Sequence, residues 1–188
     1  MNGETLLAEA IEMKDEIVEN RRAIHRAPEV GAHLPQTVQF VEEKLRLLGY
    51  EPRELGGGVV AELTGEDTGR CILLRADMDA LKVKEKTDLP FRSENGSMHA
   101  CGHDMHAAML LGAARLLKAH QSELKGTVKL VFQPDEEGFT ASGALRMGVN
   151  EMTRFGFGKE QFAQLAHLIA DCVMRNADVR EEAARLRE

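Results

Sequence analysis

The chain has 188 residues, 43% of them hydrophobic and 29% charged, proportions that fit one globular domain with a sizeable core and set aside disordered and fibrous classes. A formal net charge of -7 without a Lys/Arg cluster argues against sequence-independent binding to nucleic acid, so a small molecule is the expected partner. The longest nearly apolar stretch, residues 107–114, is far shorter than the roughly 20 residues of a membrane span, and no membrane partner or export signal is expected. Three widely spaced cysteines, Cys71, Cys101 and Cys172, suit a reducing cytoplasm better than a disulfide framework.

In chain order, Leu7, Ala10, Ile11, Ile17, Val18 and Ile24 recur at helical spacing and predict one amphipathic helix over residues 5–26, stopped by Pro28 and Gly31. Thr37 is suited to cap a second helix with Val38, Val41, Leu45 and Leu48 inward and Gly49 at its C-terminal turn. The triple glycine Gly56 to Gly58 lacks the order of a phosphate cradle and precedes a strand at 59–63, so it reads as a turn. A second turn at 65–68 leads to Cys71-Ile-Leu-Leu74, a run expected to be buried on both faces.

Asp104 is suited to cap a helix running to about His120, with Ala108, Met109, Gly112 and Leu116 inward, and residues 127–133 form the next strand. Met105 and Met109 at helical spacing read as core filler rather than soft-metal ligands. Helices covering a sheet make the fold class α/β. Beyond Phe139 the texture changes to a glycine-punctuated segment and two helices, the second with capping-box spacing between Asp178 and Glu181.

The chemistry concentrates in Met98-His-Ala-Cys-Gly-His-Asp-Met-His106, followed a strand later by Glu136-Glu137. Thiol, imidazole and carboxylate are the donors that a borderline cation such as zinc or manganese takes in a hydrolytic site. In an extended segment Cys101 and His103 would face one side. Asp77 and Asp79, just after the strand, are placed to orient a ligand imidazole. One of the two glutamates can bind metal while the other acts as base and passes a proton to the leaving amine. Isolated Cys71, Cys172, His33, His120 and His167 are read as structural or surface residues.

The segments His25-Arg-Ala-Pro-Glu-Val-Gly31, Arg75-Ala-Asp-Met-Asp-Ala-Leu81, the cluster at 98–106 and Phe132-Gln-Pro-Asp-Glu-Glu-Gly138 resemble, in order and spacing, the metal-dependent N-acyl-amino-acid amidohydrolases. This is the hippurate-hydrolase and aminoacylase-like branch of the metallopeptidases, and the resemblance covers residues 5–138. It implies Cys101, His103 and Glu137 as metal ligands, Glu136 as the general base and Asp77 as an orienting residue. It also implies a centre for divalent metal, zinc or manganese among them, that hydrolyses the amide of an N-acyl amino acid or short peptide. Lys82 and Asp135 depart from the family pattern, where a proline and a small residue are usual.

Family members carry an inserted domain and two further histidine ligands, for which this sequence offers no counterpart: after Glu137 its only histidine is His167. Residues 139–188 instead resemble the end of serine hydroxymethyltransferase, a resemblance that makes Arg146 the counterpart of a carboxylate-binding arginine. The chain therefore reads as a truncated amidohydrolase catalytic half, residues 1–138, joined to a helical tail. The rival reading is a noncatalytic fragment or pseudoenzyme acting through protein contacts, whose exposed apolar surface would favour a homo-oligomer.

Overall fold

The structure, a computed structural model, describes residues 3–136 and Gln164. The chain divides into two units, Met1–Ala141 and Ser142–Glu188. Glu137, Arg146 and the helices expected beyond Phe139 lie outside the described residues.

Where the apolar period implies one helix, there are two, α1 (Gly3–Glu12) and α2 (Lys14–Arg26). The division is a local bend at Met13, whose ψ is 0°. Hydrogen bonds from Met13 N–H to Glu9 O and from Ile17 N–H to Met13 O, both 3.1 Å, carry the ladder across it. The bend buries Met13, but α1 buries nothing of its own and leaves Leu7 and Ile11 exposed.

Helix α3 (Pro35–Leu47) starts three residues earlier than a Thr37 cap would place it, with Leu34 at the cap position. The acceptor at its N-terminus is the carboxylate of Glu29, which takes the backbone N–H of Gln36 at 3.2 Å and of Thr37 at 2.8 Å. An external carboxylate thus does for the orphan N–H groups what a capping side chain would. The inner face is as the period implies: Val38, Val41 and Leu45 are buried, and Leu48 packs against them.

A hairpin follows, β1 (Arg53–Leu55) and β2 (Gly58–Thr64), with Leu55 opposite Gly58. The two loop residues Gly56 and Gly57 have φ of 61° and 80°, the left-handed pair that a two-residue turn needs to match strand twist. Gly58 is required for a different reason. A Cβ there would lie 2.3 Å from the carbonyl oxygen of Phe132 on the neighbouring strand.

Strand β3 (Glu66–Asp77), helix α4 (His103–Ala119) and β4 (Lys125–Gln133) form a parallel crossover unit. The sheet order is β1-β2-β4-β3, with β4 antiparallel to β2. Strand β3 begins at Glu66, and the turn expected at 65–68 is absorbed as an irregularity between Glu66 and Cys71.

Burial differs from the sequence pattern at two places. Ile72 and Leu73 are 56% and 55% exposed, because among the described residues β3 is an edge strand, and it becomes buried only at Ala76 and Asp77. Met105 and Met109 are also half exposed. Helix α4 turns Ala107, Ala108, Leu110, Leu111 and Ala114 inward, and the two methionines lie one turn apart on the outer side. Gly112 lets Ile17 of α2 approach so closely that an added Cβ would meet its Cδ1 at 2.9 Å.

Candidate metal centre

Both parallel strands end at one place. Asp77 closes β3, Gln133 closes β4, and Met78 N–H donates to Gln133 O at 2.8 Å to hold the two ends together. Open α/β sheets bind ligands at this carboxyl end of parallel strands. Here the first turn of α4 delivers His103 and His106, and the chain after β4 delivers Glu136.

The segment before α4 is not extended. Gly102, with φ of 90°, is the residue preceding the helix, and His103 is already its first residue. Asp104 therefore is not the cap but lies inside the first turn. Cys101 and His103 still meet: a hydrogen bond between the His103 ring and the Cys101 sulfur is among the influences on the imidazole, and Cys101 Sγ lies 3.9 Å from the carbonyl of Asp79.

His103 is fully buried, and its Nδ1 lies 2.9 Å from the backbone carbonyl of Asp79 and 3.4 Å from that residue's carboxylate. A carbonyl only accepts, so Nδ1 carries the proton and the neutral ring has its lone pair on Nε2. Nε2 points to Glu136, whose Oε2 is 3.6 Å away. Burial alone would push the His103 pKa down, but the Asp79 carboxylate and then Cys101 outweigh it and raise it to about 10. A bound cation would take the place of that proton.

Of the two aspartates singled out in the sequence, Asp79 is the one beside His103. Asp77 instead receives the Arg75 guanidinium on Oδ1 at 2.8 Å and faces His106 Nδ1 with Oδ2 at 3.5 Å. Asp77, His103 and His106 each offer one ligand atom within 4.8 Å of the others. The residues present thus fit a divalent cation: imidazoles and a carboxylate, with one ring nitrogen oriented by a backbone carbonyl. His106 was not assigned a role from sequence, although His103 and His106 stand three apart, a spacing that shares one helix face.

Behind the centre lies a buried polar chain that the motif His25 to Gly31 did not disclose. His25 Nδ1 is 2.7 Å from Asp104 Oδ2, and Arg21 Nε is 2.6 Å from the same oxygen. His25 Nε2 is 3.2 Å from Glu85 Oε1, while Glu85 Oε2 accepts the Ser93 N–H at 2.7 Å. Phe91, under Arg21 and Arg22 at 5.2 and 5.1 Å, clamps the same loop onto α2. His99, buried next to His25, has no hydrogen-bond partner on either ring nitrogen among the described residues, and burial lowers its pKa to about 4.

Burial opposes ionisation of Glu85, but hydrogen bonds from Thr87, Ser93 and His25 prevail and lower its pKa to about 2 from 4.5. A depressed carboxylate contributes stability that is complete above its unfolded value and lost as pH falls towards its folded value. Urea midpoints measured from pH 5 down to pH 2 are expected to fall less steeply in Glu85→Gln than in the unaltered chain. Parallel curves would show that this carboxylate carries no such linkage.

The fold and the donor set together define a metal-competent α/β domain. Residues 73–179 match the model of peptidase family M20/M25/M40. The chain belongs to that family. Thermostable carboxypeptidase 1 of Saccharolobus solfataricus is 44% identical over 162 residues, covering 82% of this chain and 41% of the relative. N-acetyl-L-cysteine deacetylase of Bacillus subtilis is 46% identical over 128 residues, 66% of this chain and 31% of the relative. An IAA-amino acid hydrolase of Arabidopsis thaliana is 43% identical over 166 residues, 85% of this chain and 37% of the relative. The chain therefore spans well under half the length of each of these relatives. Among solved structures, a dinuclear metal-binding M20 peptidase of Bacillus subtilis superposes with a TM-score of 0.63 at 42% identity, over 65% of this chain and 36% of the other.

Proposed function

We propose that this chain carries the metal-binding part of a hydrolase that cleaves the amide of N-acyl amino acids or short peptides in the cytoplasm, with zinc or manganese as its cation. The observation that carries this reading is His103, set by the Asp79 carbonyl so that Nε2 meets Glu136 at the carboxyl end of two parallel strands. Family membership and the names of the relatives support it.

His103 and Cys101 would hold the cation, with Glu137 as a further ligand. When bound, the cation supplies Lewis acidity, making water a better nucleophile and polarising the amide carbonyl. Glu136 takes the proton of the attacking water and returns it to the leaving nitrogen, so one carboxylate serves as base and then as acid. The Asp79 carbonyl holds the His103 ring in place, and the Asp104 network anchors the helix turn that bears it.

The test is metal content after dialysis, compared with a double variant Cys101→Ala, His103→Ala, followed by amine release from N-acetyl amino acids. Near-stoichiometric zinc or manganese that disappears in the variant, with hydrolysis in the unaltered chain, is the expected result. No metal in either protein would overturn it.

A second reading, a noncatalytic fragment working through protein contacts, is favoured by the exposed edge at Ile72 and Leu73. It predicts concentration-dependent self-association in gel filtration. A compact monomer at all concentrations would count against it.

A further inference from the structure

We propose that His106 is itself a metal ligand in this chain, joining His103 and Asp77 around one divalent cation. The inference rests on the metal-dependent reading above and changes its ligand set. The motif-based set is Cys101, His103 and Glu137, and beyond Glu137 the only histidine is His167. His106 is a further imidazole already in place on the helix turn that bears His103.

The geometry is local and well supported. The rings of His103 and His106 lie 5.3 Å apart at an interplanar angle of 31°, one above the other on the first turn of α4. The side chain of Asp77 is only 6% exposed and is aimed from the end of β3. With Arg75 on Oδ1, its Oδ2 is the oxygen that faces His106. The Arg75 contact therefore selects which oxygen is offered to a cation.

Zinc bonds to nitrogen and oxygen of about 2.0 to 2.1 Å at tetrahedral angles place neighbouring ligand atoms about 3.4 Å apart. The three donors lie within 4.8 Å of one another, so small side-chain rotations close the set without moving the backbone. The His106 side chain is 38% exposed, which leaves a path for the cation and an open position for water. The positive end of α4 opposes a cation here, and the buried carboxylate of Asp77 offsets it. An Asp77–His106 ion pair with no metal role is the simpler alternative, and it predicts a different experimental result.

Zinc affinity by equilibrium dialysis, and the visible spectrum of the cobalt-loaded protein, separate the two. The full chain is compared with His106→Ala and with the double variant Cys101→Ala, His103→Ala. Because His106 is part exposed, His106→Ala should melt like the unaltered protein when both are metal-free. His106→Asn, which keeps a polar side chain, serves the same comparison if the alanine variant loses structure.

The expected result is zinc binding weakened by roughly tenfold to a hundredfold or more in the His106 variant, the loss typical of disturbing a metal's surroundings, together with a changed cobalt spectrum. Unchanged affinity and spectrum in that variant, with both lost in the double variant, would overturn the role of His106 and leave the metal-dependent reading standing. Absence of zinc binding in the unaltered chain would overturn both.

Discussion

Replacing Glu136 by glutamine is expected to lower the hydrolysis of N-acyl amino acids by roughly a hundredfold to ten-thousandfold, the usual contribution of a positioned general base. Glutamine keeps the shape and the hydrogen-bonding reach of the side chain but cannot accept a proton. Glu136 is suited to the task by its surroundings. Its carboxylate is 15% exposed and stands 3.6 Å from the ring nitrogen of His103. The preceding residue, Asp135, has φ of 59°, a left-handed conformation that only glycine and short polar residues adopt readily. That conformation falls just past the end of β4, at the residue before Glu136. Zinc content should be unchanged in the variant, and the loss should fall on kcat with KM little altered. Equal rates in the two proteins would remove Glu136 from the reaction. A parallel loss of zinc would make it a metal-holding residue instead.

Asp104→Ala is expected to destabilise the fold by about 3 kcal/mol, the lower end of the range for removing one partner of a buried ion pair. The carboxylate is fully buried and receives both Arg21 and His25 on one oxygen. Without it, Arg21, whose side chain is 28% exposed, recovers part of its hydration, so the upper end is not reached. The same deletion loosens the turn that carries His103, and zinc affinity should fall with stability. Urea denaturation with a two-state fit measures the first, and dialysis the second. A change below about 0.5 kcal/mol would mean that the network contributes nothing beyond ordinary surface charges. Asp104→Asn, which keeps the volume and one acceptor, should lie between the two proteins.

Much of the fold was legible because its signals are local. The inner face of α3, with Val38, Val41 and Leu45, follows from spacing alone. So do the strands around 59–63 and 127–133 and the turn at Gly56 to Gly58, whose paired left-handed residues need no distant contact to explain them. The family resemblance was equally legible and led to His103 and Glu136, which the structure brings to 3.6 Å.

What escaped depends on neighbours far along the chain. The run Cys71 to Leu74 has the texture of a buried strand, yet whether it is buried depends on its place in the sheet, and β3 is at the edge. Met105 and Met109 have core spacing, but α4 had a second, better-packed face of alanines and leucines to offer. Glu29 caps α3 from outside it, and no pattern within the helix points to that residue.

The α/β class, the order of most elements and the residue types of the candidate metal centre can be read along the chain, because period and motif are carried by residues close together in it. Long-range packing sets Asp79 against His103 Nδ1, pairs His106 with Asp77, and makes His25 the link from Asp104 to Glu85. Those pairings span up to 79 positions, and they exist only once β3, α2 and α4 have packed and buried their polar groups where water can no longer satisfy them.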